Sequence, residues 1–317
     1  MAWSLRARRI FPYVAWLTLL LNVLVILGGT VVRATGSGDG CGASWPKCGR
    51  QFVPPSPAVE TVIEFSHRAS SFAAALAVAA VFFLALRAWP RRHAVRRAAT
   101  LSAVLILVKV SLGATLVLFG WVDADVSMGR MIVVPLHLVN TFMLLGSITV
   151  TAWWGSGFPL PRTEGKRRSI RWLWAGVAVL LVLGATGALN ALADTMFPSG
   201  VGAGDVTDEF GGTAPLLLQL RIVHPIVAVI GGLMVGWIAA ETAKRGSRRT
   251  RRLAAIVSSV VLVQFFIGIA NVYLLAPLSM QVIHLLVADV LWISFVLFGA
   301  AWLGDPIEAK KPEGVLA

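Results

Sequence analysis

"EFSHRASSFAAALAVAAVFFLALR", residues 64–87, decides the architecture. From Ala69 to Leu86 the stretch carries no charge. A helix rises 1.5 Å per residue, so about 20 apolar residues cross the hydrocarbon core of a bilayer. Soluble domains rarely sustain such runs. The stretch therefore reads as a membrane-spanning helix. Its entrance is unusual. Glu64, His67 and Arg68 stand where the apolar run begins, and charge is costly to bury there.

Seven further runs of the same kind flank it. The expected spans are residues 11–32, 63–86, 98–119, 131–154, 172–192, 215–240, 253–275 and 279–302. The whole chain agrees with this reading: 57% of its residues are hydrophobic, 14% are charged, and the mean hydropathy is +0.79. The fold class expected is an all-α integral membrane protein with eight transmembrane helices. The first span is too long for a signal peptide, and "GGTVVRATGSG" offers no small-residue cleavage site after it.

The net charge of +13 raises the possibility of nucleic-acid binding, and its distribution argues against it. Of 28 Lys and Arg, three lie in 1–10, five in 87–97, five in 162–171, six in 244–252 and two in the C-terminal tail. All of these fall on one side of an eight-span chain. Arg33, Lys47, Arg50 and Arg130 fall on the other side. Arg68, Lys109 and Arg221 lie within or at the edge of spans. The positive-inside rule then places both termini in the cytoplasm. The basic charge reports topology, with membrane lipid as the surrounding partner and no nucleic acid.

The chain repeats itself. "TVIEFSHRASSFAAALAV" resembles "LLLQLRIVHPIVAVIGGLMV", which sets His67 against His224. "LVKVSLGATLVL" resembles "LVQFFIGIANVY", with Lys109 against Gln264. "IVVPLHLVNTFMLLGSI" resembles "SMQVIHLLVADVLWISF", with His137 against His284. "LGGTVVRATGSG" has a fainter partner in "LGATGALNALAD". Two parallel four-helix units follow, residues 1–160 and 161–317, arranged as pseudo-symmetric bundles.

Four of the five histidines are His67, His137, His224 and His284, one in each even-numbered span. Each lies within about two turns of the outer end of its span. His93 sits in the basic loop "RRHAVRR" and reads as a solvated residue. A lone histidine in a bundle is usually structural. Four at equivalent positions point to imidazole pairs holding haem iron between helices. No C-x-x-C-H is present for covalent haem attachment. His67 with His137 would serve the first unit, and His224 with His284 the second.

The two units differ in charge. Glu64 lies three residues before His67, and Arg221 three before His224. Residues at i and i+3 share a helix face. The acid can move protons or offset positive charge beside a haem edge. The cation suits a haem propionate. The plainer reading of Glu64 is an i, i+4 pair with Arg68. Lys109 and Asp289 are charges inside spans and read as interior polar contacts. Cys41 and Cys48 lie in an outer loop, where a disulfide is the default state. Their spacing does not choose between a loop staple and a redox-active pair. The loops "GWVDADVSMGR" and "ALADTMFPSGVGAGDVTDEFGGTAP" read as covers for the outer haem edges.

The motifs "GGTVVRATGSGDGC", "CGASWPKC", "EFSHR", "LHLVN" and "QVIHLL" together resemble haem A synthase, of the bacterial type with a cysteine pair in its first outer loop. The resemblance runs over residues 11–302. It implies an enzyme of the bacterial cytoplasmic membrane that oxidises the C8 methyl of haem O to a formyl group by successive hydroxylations. Water is the implied oxygen source, and the product serves terminal oxidases. It implies haem b held by His224 and His284, haem O as substrate at His67 and His137, Glu64 as the catalytic acid, and a disulfide between Cys41 and Cys48. Arg68, Arg221 and Lys109 become candidate propionate or pocket contacts. The implied partners are a haem O synthase as donor, the oxidase assembly machinery and an electron acceptor. At Lys109 the family pattern leads one to expect an amide, as at Gln264. Two other readings remain at this stage: a di-haem electron-transfer protein of the cytochrome b561 kind, and a haem carrier without catalysis.

Overall fold

The computed structural model describes residues 2–55, 57–197 and 215–306. The third outer loop lies mostly in 198–214, outside the described residues, as do the two tail lysines. Among the described residues, eight helices are long and apolar enough to cross a membrane: α1 (Ala2–Ala34), α2 (Val59–Ala88), α3 (Ala94–Leu118), α4 (Met128–Gly155), α5 (Arg167–Met196), α6 (Leu216–Ala243), α7 (Arg248–Tyr273) and α8 (Leu278–Gly304). No strand occurs among the described residues; one isolated bridge pairs Cys48 with Gln51. In hydrocarbon a backbone finds no water, so its hydrogen bonds must close within the helix. The chain is thus an all-α, multi-pass membrane protein.

Most helices begin a few residues before the expected spans, and two differences have a clear physical reason. Helix α1 begins nine residues before the expected span and carries Arg6, Arg8 and Arg9. Hydropathy detects the apolar part of a helix, and the backbone continues beyond it. Arg8 uses this extension to donate from Nε to the carbonyl of Ala88, 2.8 Å away, at the end of α2. Helix α6 is interrupted. A short turn at Leu216–Gln219 passes through a 3-10 turn at Leu220–Ile222 before the long helix resumes at Val223. At this point stands Pro225, whose ring would clash with the carbonyl four residues back and whose nitrogen has no hydrogen to donate. Proline fits best in a first turn, and the regular helix starts just ahead of Pro225, whereas Pro12 and Pro135 are carried inside α1 and α4.

His93 is not simply solvated. It is the N-cap of α3, and its Nδ1 accepts the Val95 N–H at 3.3 Å while its ring stacks on Trp89 at 5.8 Å. Burial, and then the nearby Arg8 charge, hold its pKa below the ordinary value. The neutral ring, which can accept, is therefore the form the fold uses. Such a cap contributes about 1 kcal/mol.

Consecutive helices pack on one another, and α4 also packs on α1 and α8. Over half of the apolar stretch of α4 is buried, 56%, against 17% for α7, so α4 is interior and α7 faces lipid. Its Leu144, Leu145 and Ile148 meet Val235 and Ile238 of α6 and Leu291, Trp292 and Phe295 of α8 in one core. Between membrane helices the gain comes from close packing, because lipid is as apolar as leucine. Small residues permit that approach. A Cβ at Gly176 would lie 2.3 Å from Phe295 Cζ, so α5 and α8 can meet there only over glycine.

Candidate haem pockets and the disulfide loop

Each of the four histidines faces a glycine on the preceding helix. His67 of α2 lies against Gly29 of α1, His137 of α4 against Gly113 of α3, His224 of α6 against Gly187 of α5, and His284 of α8 against Gly268 of α7. A Cβ at these glycines would stand 3.1, 3.6, 3.0 and 3.4 Å from the respective imidazole Cε1 atoms. Gly113 and Gly268 correspond in the sequence repeat. Gly187 does not correspond to Gly29, because the faint pairing of "LGGT" with "LGAT" sets Ala185 there.

The second pair is the more closely defined. The rings of His224 and His284 are 6.4 Å apart at 88°. Thr186 Oγ1 lies 3.1 Å from His224 Nδ1 and fixes that ring's orientation. Gln264 Nε2 lies 3.2 Å from His284 Nε2 and donates to the His284 carbonyl at 3.1 Å. In both halves Nδ1 atoms are left over: those of His67, His137 and His284 are buried without a hydrogen-bond partner. Among the described residues no group of three or more His, Cys, Asp or Glu could gather on one metal ion. The ring contact among the four is that of His224 with His284.

Glu64 is 3% exposed. Its Oε2 accepts the Cys41 backbone N–H at 2.6 Å. Its Oε1 accepts Arg68 Nε at 3.0 Å and also Arg68 Nη2. The i, i+4 pair is therefore present, and it is joined to a contact 23 residues away in sequence. Arg68 Nη1 donates onward to the carbonyls of Ser44 at 2.7 Å and Lys47 at 2.8 Å. Those carbonyls belong to the loop closed by the Cys41–Cys48 disulfide. Arg221 stands in the 3-10 turn of α6. It pairs with Asp194 of α5 at 3.0 Å and donates to the Phe197 carbonyl at 2.7 Å.

Lys109 lies on the face of α3 turned to α4. One turn before it, the Leu105 carbonyl accepts Asn140 Nδ2 of α4 at 3.0 Å, and one turn after it Gly113 meets His137. Asp289 lies on α8 one turn before Trp292, which stacks on Phe142 of α4 at 5.6 Å. Lys109 is 8% exposed and Asp289 0%. Lys109 Nζ and both Asp289 oxygens are buried without a hydrogen-bond partner, and the interior polar contact expected of them is the attraction between their opposite charges.

The sequence reading missed Arg33. It counts as a loop charge by hydropathy, yet α1 runs to Ala34 and carries it inside. Its guanidinium donates to the Ala191 carbonyl at 2.5 Å, to Thr195 Oγ1, and to Gln281 Oε1 at 2.6 Å, tying α1 to α5 and α8. Only its position just past "GGTVV" could have hinted at this.

Comparison with known proteins gives a family. Two relatives from Thermus thermophilus strains, each named protoheme IX farnesyltransferase, are 43% identical over 305 residues, which are 95% of this chain and 49% of theirs. The chain spans about half the length of these relatives. Heme A synthase of Bacillus cereus is 37% identical over 117 residues, 37% of this chain and 38% of that protein. The family model described as cytochrome oxidase assembly protein matches residues 12–296, nearly the whole molecule, and so the chain belongs to the COX15-CtaA family of cytochrome oxidase assembly proteins.

Proposed function

We propose that the chain is a haem A synthase, an oxidoreductase that turns the C8 methyl of haem O into a formyl group through hydroxylated intermediates. One observation carries the reading. Four histidines are each held over a helix glycine, and where Glu64 stands three residues before His67 the second half has Arg221, three before His224 and paired with Asp194. A module that merely passed electrons between two haems would have no use for that difference. The Bacillus relatives named heme A synthase point the same way. The Thermus name describes farnesyl transfer to protohaem IX, and half of that longer chain lies outside the match. Joining the two in one chain supports a haem O synthase as the donor, with oxidase assembly as the destination.

The residues suit haem. Two imidazoles bonded to one metal through facing nitrogens, each about 2 Å away, have ring centroids roughly 6 Å apart. The ring centroids of His224 and His284, 6.4 Å apart, match that spacing. The glycines let each ring lie close against the neighbouring helix, and the Nδ1 atoms of His67, His137 and His284 are buried without a hydrogen-bond partner, which suits groups that would hold a cofactor. His224 and His284 would hold haem b, with Thr186 orienting the first and the Gln264 amide turning aside from the second. Haem b supplies an iron that accepts and passes on single electrons. His67 and His137 would hold the substrate, haem O.

Oxidising a methyl to a formyl group with water as oxygen source releases four electrons and four protons for each methyl. The site therefore needs a proton acceptor and negative charge near the reacting carbon. Glu64 supplies both. Arg68 and the Cys41 N–H fix its two oxygens, so the carboxylate reaches the substrate in one orientation. The electrons go to an acceptor beyond the chain. The two four-helix units, residues 1–160 and 161–317, divide the work between the substrate and the bound cofactor. The positive-inside pattern sets both termini in the cytoplasm and the pockets towards the outer face.

The test is expression in a host that makes haem O and no haem A, followed by chromatography and mass detection of the extracted haems. The formyl haem is expected only where the chain is expressed. Haem O recovered unconverted with folded, haem-bearing chain would instead favour a carrier or an electron-transfer module.

A further inference from the structure

We propose that Arg68 is a positioning residue that fastens Glu64 to the loop between Cys41 and Cys48, so that the redox state of this disulfide sets where the Glu64 carboxylate stands. The functional consequence rests on the role proposed for Glu64. The linkage itself rests on hydrogen bonds alone. One edge of the Arg68 guanidinium holds Glu64 Oε1, and Nη1 holds two carbonyls of the loop, Ser44 at 2.7 Å and Lys47 at 2.8 Å. The other Glu64 oxygen takes the N–H of Cys41 itself at 2.6 Å. The loop thus grips the acid from both sides.

The loop is seated on α2 by its backbone. Thr61 Oγ1 donates to the Gly40 carbonyl at 2.6 Å, and a Cβ at Gly40 would lie 2.5 Å from the Glu60 carbonyl oxygen. Only glycine allows that approach. Within the loop, Gly49 N–H donates to the Cys41 carbonyl at 3.0 Å, beside the disulfide. The cross-link brings the Cys41 N–H and the Ser44 and Lys47 carbonyls together on one side of the pair. When a dithiol reductant delivers two electrons and two protons, the S–S bond breaks, two thiols form and the reductant becomes a disulfide. The loop then gains the freedom that the cross-link removed. Arg68 loses fixed acceptors, and Glu64 loses its donor.

Such coupling is reciprocal. If the disulfide positions Glu64, then Glu64 and Arg68 must stabilise the disulfide. Arg68→Ala is expected to shift the equilibrium about tenfold towards the dithiol, which is roughly 30 mV for this two-electron couple. Arg68→Lys restores only part of the shift, because an ammonium cannot present the planar fork that bridges a carboxylate and two carbonyls. Thr61→Val, which removes the Gly40 contact, shifts it in the same direction. Arg50→Ala, an exposed cation just past Cys48, leaves it unchanged.

The measurement uses the purified full chain in detergent. It is equilibrated with mixtures of reduced and oxidised dithiothreitol, its thiols are trapped with a maleimide, and they are counted by mass. Retained haem b shows which variants are folded. An equilibrium constant for folded Arg68→Ala within twofold of the parent overturns the proposal, as does an equal shift for Arg50→Ala. Should Arg68→Ala fail to fold, the folded Thr61→Val chain decides by the same criterion. Full haem A formation by Glu64→Gln, together with a shifted equilibrium in Arg68→Ala, would leave the linkage standing and remove the catalytic role of Glu64.

Discussion

On the proposed function, a Glu64→Gln chain is expected to keep its haem b and to form haem A at no more than about one-hundredth of the parent rate, since a positioned acid or base contributes about 10²–10⁴-fold. The substitution is nearly isosteric. The amide oxygen can still accept the Cys41 N–H or Arg68, so the loop stays seated in part. The charge and the proton-accepting capacity are lost. The weakened bond to Arg68 costs on the order of 2 kcal/mol, because hydrogen bonds to charged groups lie in that range. Haem b content separates the two effects. A folding defect would lower it together with haem A, and a chemical defect would lower haem A alone. Chromatography of extracted haems reads both at once. Haem A formed at the parent rate by folded Glu64→Gln would end the catalytic assignment.

The second large effect concerns glycine. Gly187→Leu is expected to lower bound haem b at least about tenfold, as disrupted support of a metal ligand does. A Cβ there already stands 3.0 Å from His224 Cε1, and leucine adds three further carbons in the same direction. The ring must turn or the helices must part. Leucine is the better helix former, so instability of α5 itself cannot account for the loss. Gly29→Leu applies the same pressure to His67 and is expected to stop haem A formation while haem b stays bound. Gly236→Leu on α6 is the control, because nothing lies within 4 Å of a Cβ there. Haem quantified per purified chain checks all three. Unchanged haem b in Gly187→Leu would mean that the glycine clefts hold no ligated ring.

The eight helices were legible because a bilayer leaves the backbone few choices, and length and hydropathy follow directly from that constraint. The histidines were legible because a repeat places them in register, and one sequence then acts as its own comparison. Their glycines were half legible: Gly113 and Gly268 share a register, whereas Gly29 and Gly187 do not. Pro225 marked where the regular part of α6 begins, since proline fits a first helical turn, although Pro135 within α4 shows that proline alone does not break a helix. The grip of Cys41 on Glu64 was out of reach, because a hydrogen bond across 23 residues depends on how a loop folds back and leaves no periodic trace. Arg33 was misread for a related reason. Its value lies in Ala191, Thr195 and Gln281, partners on two distant helices. The Glu64–Arg68 pair teaches the opposite lesson. Its spacing was read correctly as a local ion pair, and the structure joins that pair to the loop between Cys41 and Cys48.

The proposed function requires two unlike pockets in one chain. The most direct measurement purifies His67→Ala and His224→Ala from a host making haem B and haem O, and determines haem type and amount per chain. His224→Ala is predicted to lose the tightly held haem b. His67→Ala is predicted to keep it and to make no haem A. Equal loss of haem b from both variants, or haem A formed by the His67→Ala chain, would contradict the account.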